Sequence, residues 1–132
     1  MTPVTCGLVL APRRLVAVLL GPGGGARRVL RAALTDDARF GLVQYLAAVG
    51  AELVVPDGLL AADPVARRAV EPGLVVWLAP HALVSALAQA AAITDPGRLA
   101  AVLARLPRIP LLRAQLRRLA APRRDPRQVP LL

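Results

Sequence analysis

Cysteine, histidine and aromatic residues are scarce in this sequence, and each scarcity excludes a class of site. Cys6 is the only cysteine and His81 the only histidine, so one chain can build neither an intrachain disulfide nor a Cys/His zinc site. Aromatic residues make up 2% of the chain, as Phe40, Tyr45 and Trp77, and we expect them to face mostly inward. That leaves no stacking platform for single-stranded nucleic acid. We therefore expect no structural metal, no cofactor and an aliphatic interior.

No segment has the pattern of a secretory signal or of a membrane span. The apolar run from Leu15 to Leu20 covers only six residues, too few for a signal sequence. The stretch 73–93 is long enough to cross a membrane, but proline and polar residues interrupt it at Pro80, His81, Ser85 and Gln89. We interpret it as a buried strand followed by a helix, and we expect a cytoplasmic protein with no membrane partner.

The remaining composition is that of a single folded domain. The length of 132 residues suits one domain, and 56% hydrophobic residues with a mean hydropathy of +0.55 exclude a disordered chain. Residues 122–132 carry three prolines and no periodicity. We predict one domain over residues 1–121, including its C-terminal helices, and a Pro/Arg-rich tail over residues 122–132.

The first half of the chain predicts three antiparallel strands and a helix. Apolar runs at 6–10 and 15–20 indicate a hairpin, and residues 28–33 alternate basic and apolar side chains like a half-exposed strand. The glycine cluster at 21–25 lacks the Gly-Lys-Ser/Thr ending of a phosphate loop and precedes a strand, so we interpret it as a turn. A helix then begins at the potential caps Thr35, Asp36 and Asp37 and ends at Gly50. We expect its apolar stripe at Phe40, Val43, Leu46 and Ala47.

The second half predicts two strands alternating with helices, followed by two further helices. Strands are expected at 51–55 and 73–78, a short helix at 65–70, and a longer helix from Pro80. Asp95 and Pro96 form an N-cap and first-turn pair for a helix whose apolar side chains are Leu99, Val102, Leu103 and Leu106. A last, basic helix is predicted over 111–120, with Leu112, Leu116 and Leu119 toward the body and Arg113, Arg117 and Arg118 outward.

Three segments resemble one known family in their order along the chain. The run 7–20 resembles the first hairpin of the RuvC-like DEDD transposases of bacterial insertion sequences, which are relatives of the pilin-gene invertases. Residues 50–55 resemble the strand before their second acidic residue, and Thr94-Asp95 with 99–105 resembles their Thr-Asp-x-x-Asp-Ala-Leu-Leu-Ala segment. This resemblance covers residues 6–106. It implies an RNase H-like α/β fold, with a five-stranded mixed sheet in the order 3-2-1-4-5 flanked by helices.

The chain departs from that family at the positions that carry the chemistry. The family holds a divalent metal, usually Mg²⁺, with four carboxylates, and the matching positions here are Val9, Asp57, Asp95 and either Arg98 or Leu99. Two of the four ligands are therefore missing, and an apolar side chain cannot hold the metal that phosphoryl chemistry needs. We expect no catalytic site and no metal site. Asp57 and Asp95 are also explained as a turn residue and a helix N-cap.

Two further residues have a reactive side chain but a simpler explanation. His81 could serve as a general base, yet no serine or cysteine with an acidic partner is evident near it; Ser85 is one helical turn away. Cys6 directly precedes a buried strand and is expected to be a small core residue.

Charge is distributed very unevenly along the chain. The formal net charge is +9, with 17 arginines and no lysine; residues 98–132 contain nine arginines and one acidic residue. Such a segment suits the backbone of duplex DNA or structured RNA, although a solvated surface has the same composition. The predicted nucleic-acid-binding residues are Arg105, Arg108, Arg113, Arg117, Arg118, Arg123 and Arg124.

Three functions from different classes remain open at this point. The first is a non-catalytic nucleic-acid-binding or assembly module derived from a transposase. The second is a protein–protein or dimerisation module that contacts no nucleic acid, and the third is a weak Mg²⁺-dependent nuclease built on Asp57 and Asp95.

Overall fold

The computed structural model describes residues 4–22, 27–58 and 75–118, apart from the side chain of Val43. The predicted helix at 65–70, the tail at 122–132, the glycines at 23–25 and the site residues Arg123 and Arg124 lie outside the described residues.

A mixed sheet of six strands forms the centre of the fold. The strands are β1 (Thr5–Ala11), β2 (Arg14–Leu20), β3 (Arg27–Ala33), β4 (Glu52–Pro56), β5 (Val76–Ala79) and β6 (Arg117–Arg118). Their order is β3-β2-β1-β4-β5-β6. β1, β2 and β3 are antiparallel, β4 and β5 run parallel to β1, and β6 runs antiparallel to β5. The predicted order of the first five strands is confirmed. In the parallel pair of β1 and β4, Cys6 lies beside Leu53.

Four helices and a 3-10 turn complete the described chain. They are α1 (Asp36–Ala48), α2 (His81–Ala90), α3 (Pro96–Arg105), the 3-10 turn (Leu106–Arg108) and α4 (Pro110–Arg113). The hydroxyl of Thr35 accepts the N–H of Ala38 at 3.3 Å, which caps α1, while Asp36 and Asp37 lie in its first turn. Past the end of α1, Gly50 takes a φ of 71°, in the left-handed region where glycine is favoured.

The helices cover both faces of the sheet, and each face has its own aliphatic core. Leu46 of α1 is fully buried in the first core, against side chains of β1, β2, β4 and β5 that include Leu8 and Leu53. Leu103 of α3 is fully buried in the second core, together with Val18 and Val54. α2 packs against the same second core through half-buried leucine and valine side chains. Burial of β1 from both sides explains why its apolar residues run without alternation.

Helix α3 approaches the sheet closely at Gly7 in β1. A Cβ atom added at Gly7 would overlap the backbone carbonyl of Ala100 in α3. Ala100, Ala101 and Ala104 are all buried, so α3 turns a face of small side chains to the strand. This combination lets the two backbones approach more closely than side chains would allow.

The structure corrects the predicted last helix. α4 spans only Pro110–Arg113, and the chain then forms β6 instead of continuing as a helix to residue 120. The sheet therefore has six strands rather than five, and no long basic helix is present among the described residues. Leu116 is buried and Leu112 half-buried, as expected, because both pack on the second core.

The predicted stripe of α1 is also wrong in part. Leu46 is buried as expected, but Phe40 is 41% exposed, and the side chains that accompany Leu46 against the sheet are Ala38 and Leu42. Tyr45 is exposed as well, so the aromatic residues do not mostly face inward. Apolar residues lie on every side of this helix, and their spacing alone did not identify the buried face.

Both outer strands of the described sheet carry arginines. Arg27, Arg28 and Arg31 are exposed on β3 at one edge, and Arg117 and Arg118 are exposed on β6 at the other. Within the described residues, no helix has the length and apolar character needed to cross a membrane.

Candidate functional site

The positions that match the family's carboxylates lie near the ends of β1 and β4 and on α3. Val9 on β1 is 8% exposed and belongs to the second core, where Leu99 of α3 packs as well. Asp57 follows β4 and Asp95 precedes α3, and both are exposed. Val9 is thus an interior aliphatic side chain, and neither the half-buried Leu99 nor Arg98 provides a carboxylate at the fourth position.

The two aspartates at these positions have local structural roles. The N–H of Asp57 donates to the carbonyl of Ala79 at 2.8 Å, and its carboxylate lies 3.7 Å from the guanidinium of Arg117. The Oδ2 atom of Asp95 accepts the N–H of Arg98 at 3.1 Å, so Asp95 is the predicted N-cap. Across residues 4–22, 27–58 and 75–118, no three His, Cys, Asp or Glu side chains come close enough together to hold a metal ion.

Cys6 lies in the first core with no exposed surface, as predicted. Its burial raises the pKa of the thiol from 9.0 to about 12, because the thiolate is desolvated among aliphatic side chains. A thiol with such a raised pKa is almost entirely protonated near neutral pH and is a poor nucleophile.

We expect Cys6 to resist alkylation in the native protein at pH 8 and to react fully in denaturant. Because the native thiol has the higher pKa, the folded state binds the extra proton, and this contribution to stability is present below about pH 9 and is lost as the pH rises toward 12. Mass spectrometry after iodoacetamide treatment at increasing urea concentration measures the reaction. Rapid labelling without denaturant would contradict the buried position.

His81 and Ser85 form a pair on the first turns of α2. The Nε2 atom of His81 lies 3.4 Å from the hydroxyl of Ser85, and the histidine is exposed. Within the described part of the chain no carboxylate is hydrogen-bonded to His81. A general base of the serine-hydrolase type needs such an orienting group, so this pair lacks a triad's third member.

The arginines predicted to bind nucleic acid divide into an inward-pointing and an outward-pointing group. Arg108 is half-buried, and its Nη2 atom donates to the carbonyls of Leu20 at 3.0 Å and Gly21 at 2.7 Å, which fixes the 3-10 turn to the end of β2. Arg105 and Arg118, in contrast, are exposed.

Three of the outward-pointing arginines gather at the β5–β6 edge. The Arg113 guanidinium lies over the ring of Trp77, 5.1 Å from its centre, and Arg118 is paired in register with Trp77. Arg117 contributes the ion pair with Asp57. We call Arg113, Arg117 and Arg118 the edge arginines. Only Asp57 among the described acids pairs with any of them.

A second basic site was not anticipated from the sequence. A cavity of about 390 Å³ lies between the β1–β2 turn and the start of α3, lined by residues 11–14, Val16, Arg31 and residues 95–97. It brings together Arg13, Arg14 and Arg31, all exposed. The sequence signals for this site were the arginines that alternate along β3, including Arg31, and the adjacent Arg13 and Arg14 at the β1–β2 turn. That they lie near Asp95 depends on tertiary packing, which the sequence pattern does not show.

Two comparisons with known proteins found no match. No protein-family model matches the chain, and no curated protein is significantly similar to it.

Proposed function

We propose that this chain is a non-catalytic, RNase H-like domain that binds the phosphate backbone of duplex DNA or structured RNA. The observation that carries the proposal is that Arg113, Arg117 and Arg118 all lie at the β5–β6 edge, Arg113 and Arg118 on the Trp77 face and Arg117 on the other, within a C-terminal segment that holds nine arginines and one acidic residue. Exposed guanidinium groups with few carboxylates around them attract phosphate oxygens. Their binding releases the counterions that had been condensed on the nucleic acid.

The sheet supports the RNase H-like part of the proposal. Its first five strands have the order and the directions that the family resemblance implies, with β1 central and α3 packed across it. The non-catalytic part is supported by the aliphatic side chains of Val9 and Leu99 at two of the four carboxylate positions.

The aromatic residues favour double-stranded or structured ligands over flexible single strands. The Trp77 indole donates to the Glu52 carboxylate at 3.0 Å and its ring is covered by Arg113. The Tyr45 hydroxyl accepts a hydrogen bond from Arg28 at 2.9 Å, and the guanidinium lies 5.7 Å from the ring centre. Trp77 packs on the second core, and Tyr45 belongs to α1, which covers the other face of the sheet. The two rings therefore do not form one platform on which successive bases could stack.

We expect the salt dependence of duplex binding to test this function. If about five arginines contact phosphates, the logarithm of the association constant falls with the logarithm of salt concentration at a slope of about −4 to −5. Fluorescence anisotropy with a labelled duplex, repeated with an unrelated sequence of equal length, measures the slope and its independence of sequence. Failure of both duplex DNA and structured RNA to bind at low salt would refute the proposal.

One observation favours the alternative of an assembly module. Leu111 is 82% exposed and Ile109 43% exposed, next to the edge arginine Arg113. A partner helix or a second copy of the chain would cover such side chains. A dimer whose population rises with protein concentration, seen by sedimentation without any nucleic-acid binding, would support this function instead.

A further inference from the structure

The cavity beside α3 concentrates positive charge on one face of the sheet. In the register of β2 and β3, Arg14 stands opposite Ala33 and Val16 opposite Arg31. Arg14 and Arg31 are therefore diagonal neighbours on the same face, at a backbone separation of about 7–8 Å. Both arginines line the same cavity, and no carboxylate among the described residues forms an ion pair with either.

The other two charged residues of the cavity, Arg13 and Asp95, leave its lining with a net positive charge. Arg13 adds a further guanidinium from the β1–β2 turn. Asp95 supplies the only carboxylate in the lining, and its Oδ2 atom already accepts the N–H of Arg98. Three cations and one anion leave a net charge of +2 around a space of about 390 Å³.

We infer that this cavity binds a phosphate monoester. A dianionic monoester matches the net charge of the lining, whereas a backbone diester carries a single charge. Guanidinium groups bind phosphate through paired, charge-assisted hydrogen bonds, and three arginines line this space. The volume is in the range of small-ligand sites, and Val16, Pro12 and Pro96 provide apolar walls for the group attached to the phosphate.

The phosphate has two potential sources, which share this chemistry. One is the 5′-terminal phosphate of a nucleic acid, and with that source the inference rests on the proposed function. The other is a free nucleotide or inorganic phosphate, which requires no duplex binding. In either case the cavity binds one phosphate group. It lies toward the β3 edge of the sheet, away from the edge arginines at the β5–β6 edge.

The test compares two double variants that remove equal charge. Arg14→Gln with Arg31→Gln removes two cavity arginines, and Arg27→Gln with Arg28→Gln removes two exposed arginines of β3 that do not line the cavity. Inorganic phosphate and a nucleoside monophosphate are titrated into each protein while the arginine Nε–Hε signals are followed by NMR. Anisotropy then gives the affinities of one duplex with a 5′-phosphate and with a 5′-hydroxyl.

We expect the cavity variant to bind phosphate at least about tenfold more weakly than the parent, and the control variant to change little. A terminal-phosphate source also gives the parent a preference for the 5′-phosphorylated duplex that only the cavity variant loses. Equal loss in both variants, or no shift of any arginine signal with phosphate, would overturn the inference.

The outcomes separate this inference from the proposed function. Phosphate binding in the cavity without any duplex binding would refute the proposed function and leave the cavity site with a free phosphate as its ligand. Salt-dependent duplex binding with no response to phosphate or to the 5′ end would support the proposed function and refute phosphate binding in the cavity.

Discussion

The variant Gly7→Ala is expected to lower the free energy of unfolding by about 3 kcal/mol, the largest loss from any single change considered for this chain. The added Cβ meets the carbonyl of Ala100, which belongs to a helix backbone and cannot rotate away. α3 must then move off β1, and this movement opens the second core around Leu103. Urea unfolding followed by circular dichroism measures the change.

Gly41→Ala is the matched control for this variant. Gly41 lies inside α1, and a Cβ added there meets nothing within 4 Å. Alanine has the higher helix propensity, so this variant is expected to gain about 0.5–1 kcal/mol. Equal stability of the Gly7 variant and the parent would show that α3 does not pack directly on the central strand.

The second large effect is expected on binding, from the triple variant Arg113→Gln, Arg117→Gln and Arg118→Gln. Three lost phosphate contacts would reduce the salt slope by up to about 3 and weaken duplex binding by up to about 100- to 1,000-fold at 0.1 M salt. The two substitutions in β6 leave its backbone pairing with β5 in place, and loss of the Arg113 contact with Trp77 costs about 0.5–1 kcal/mol, so the fold is retained. Anisotropy at several salt concentrations measures both quantities.

A control with the same loss of charge comes from the first part of the chain. Arg13→Gln, Arg27→Gln and Arg28→Gln remove three exposed arginines outside the C-terminal segment. Because Arg13 lines the cavity beside α3, both variants are compared on a duplex with 5′-hydroxyl ends. This variant is expected to bind duplex more tightly than the triple variant of the edge arginines. If the edge variant binds as well as the parent, with an unchanged slope, these arginines face solvent or a protein partner, and the assembly function is favoured.

Elements with strong local signals were predictable from the sequence. The cap of α1 at Thr35 and the cap of α3 at Asp95 are side-chain hydrogen bonds to the next turn, which short sequence motifs encode. The buried strands β1, β2 and β4 are continuous apolar runs, and their order followed from the right-handed connections between parallel strands.

Features that depend on distant residues were not predictable. β6 consists of two arginines and exists because it pairs with Trp77 and Leu78, about 40 residues earlier in the chain. The leucines at 112 and 116 suit a helix and also suit a short turn followed by a strand. The cavity beside α3 is likewise assembled from three separate segments of the chain, so no motif in any one of them reveals it.

The arginines on the two outer strands are also expected to affect contacts between copies of this chain. The unpaired N–H and C=O groups of an open sheet edge can pair with a strand of another molecule. Here, pairing β3 with a second β3, or β6 with a second β6, would bring arginines of the two molecules together. We expect these charges to disfavour edge-to-edge pairing between copies of the chain, and a polyanion that neutralised them would remove this protection.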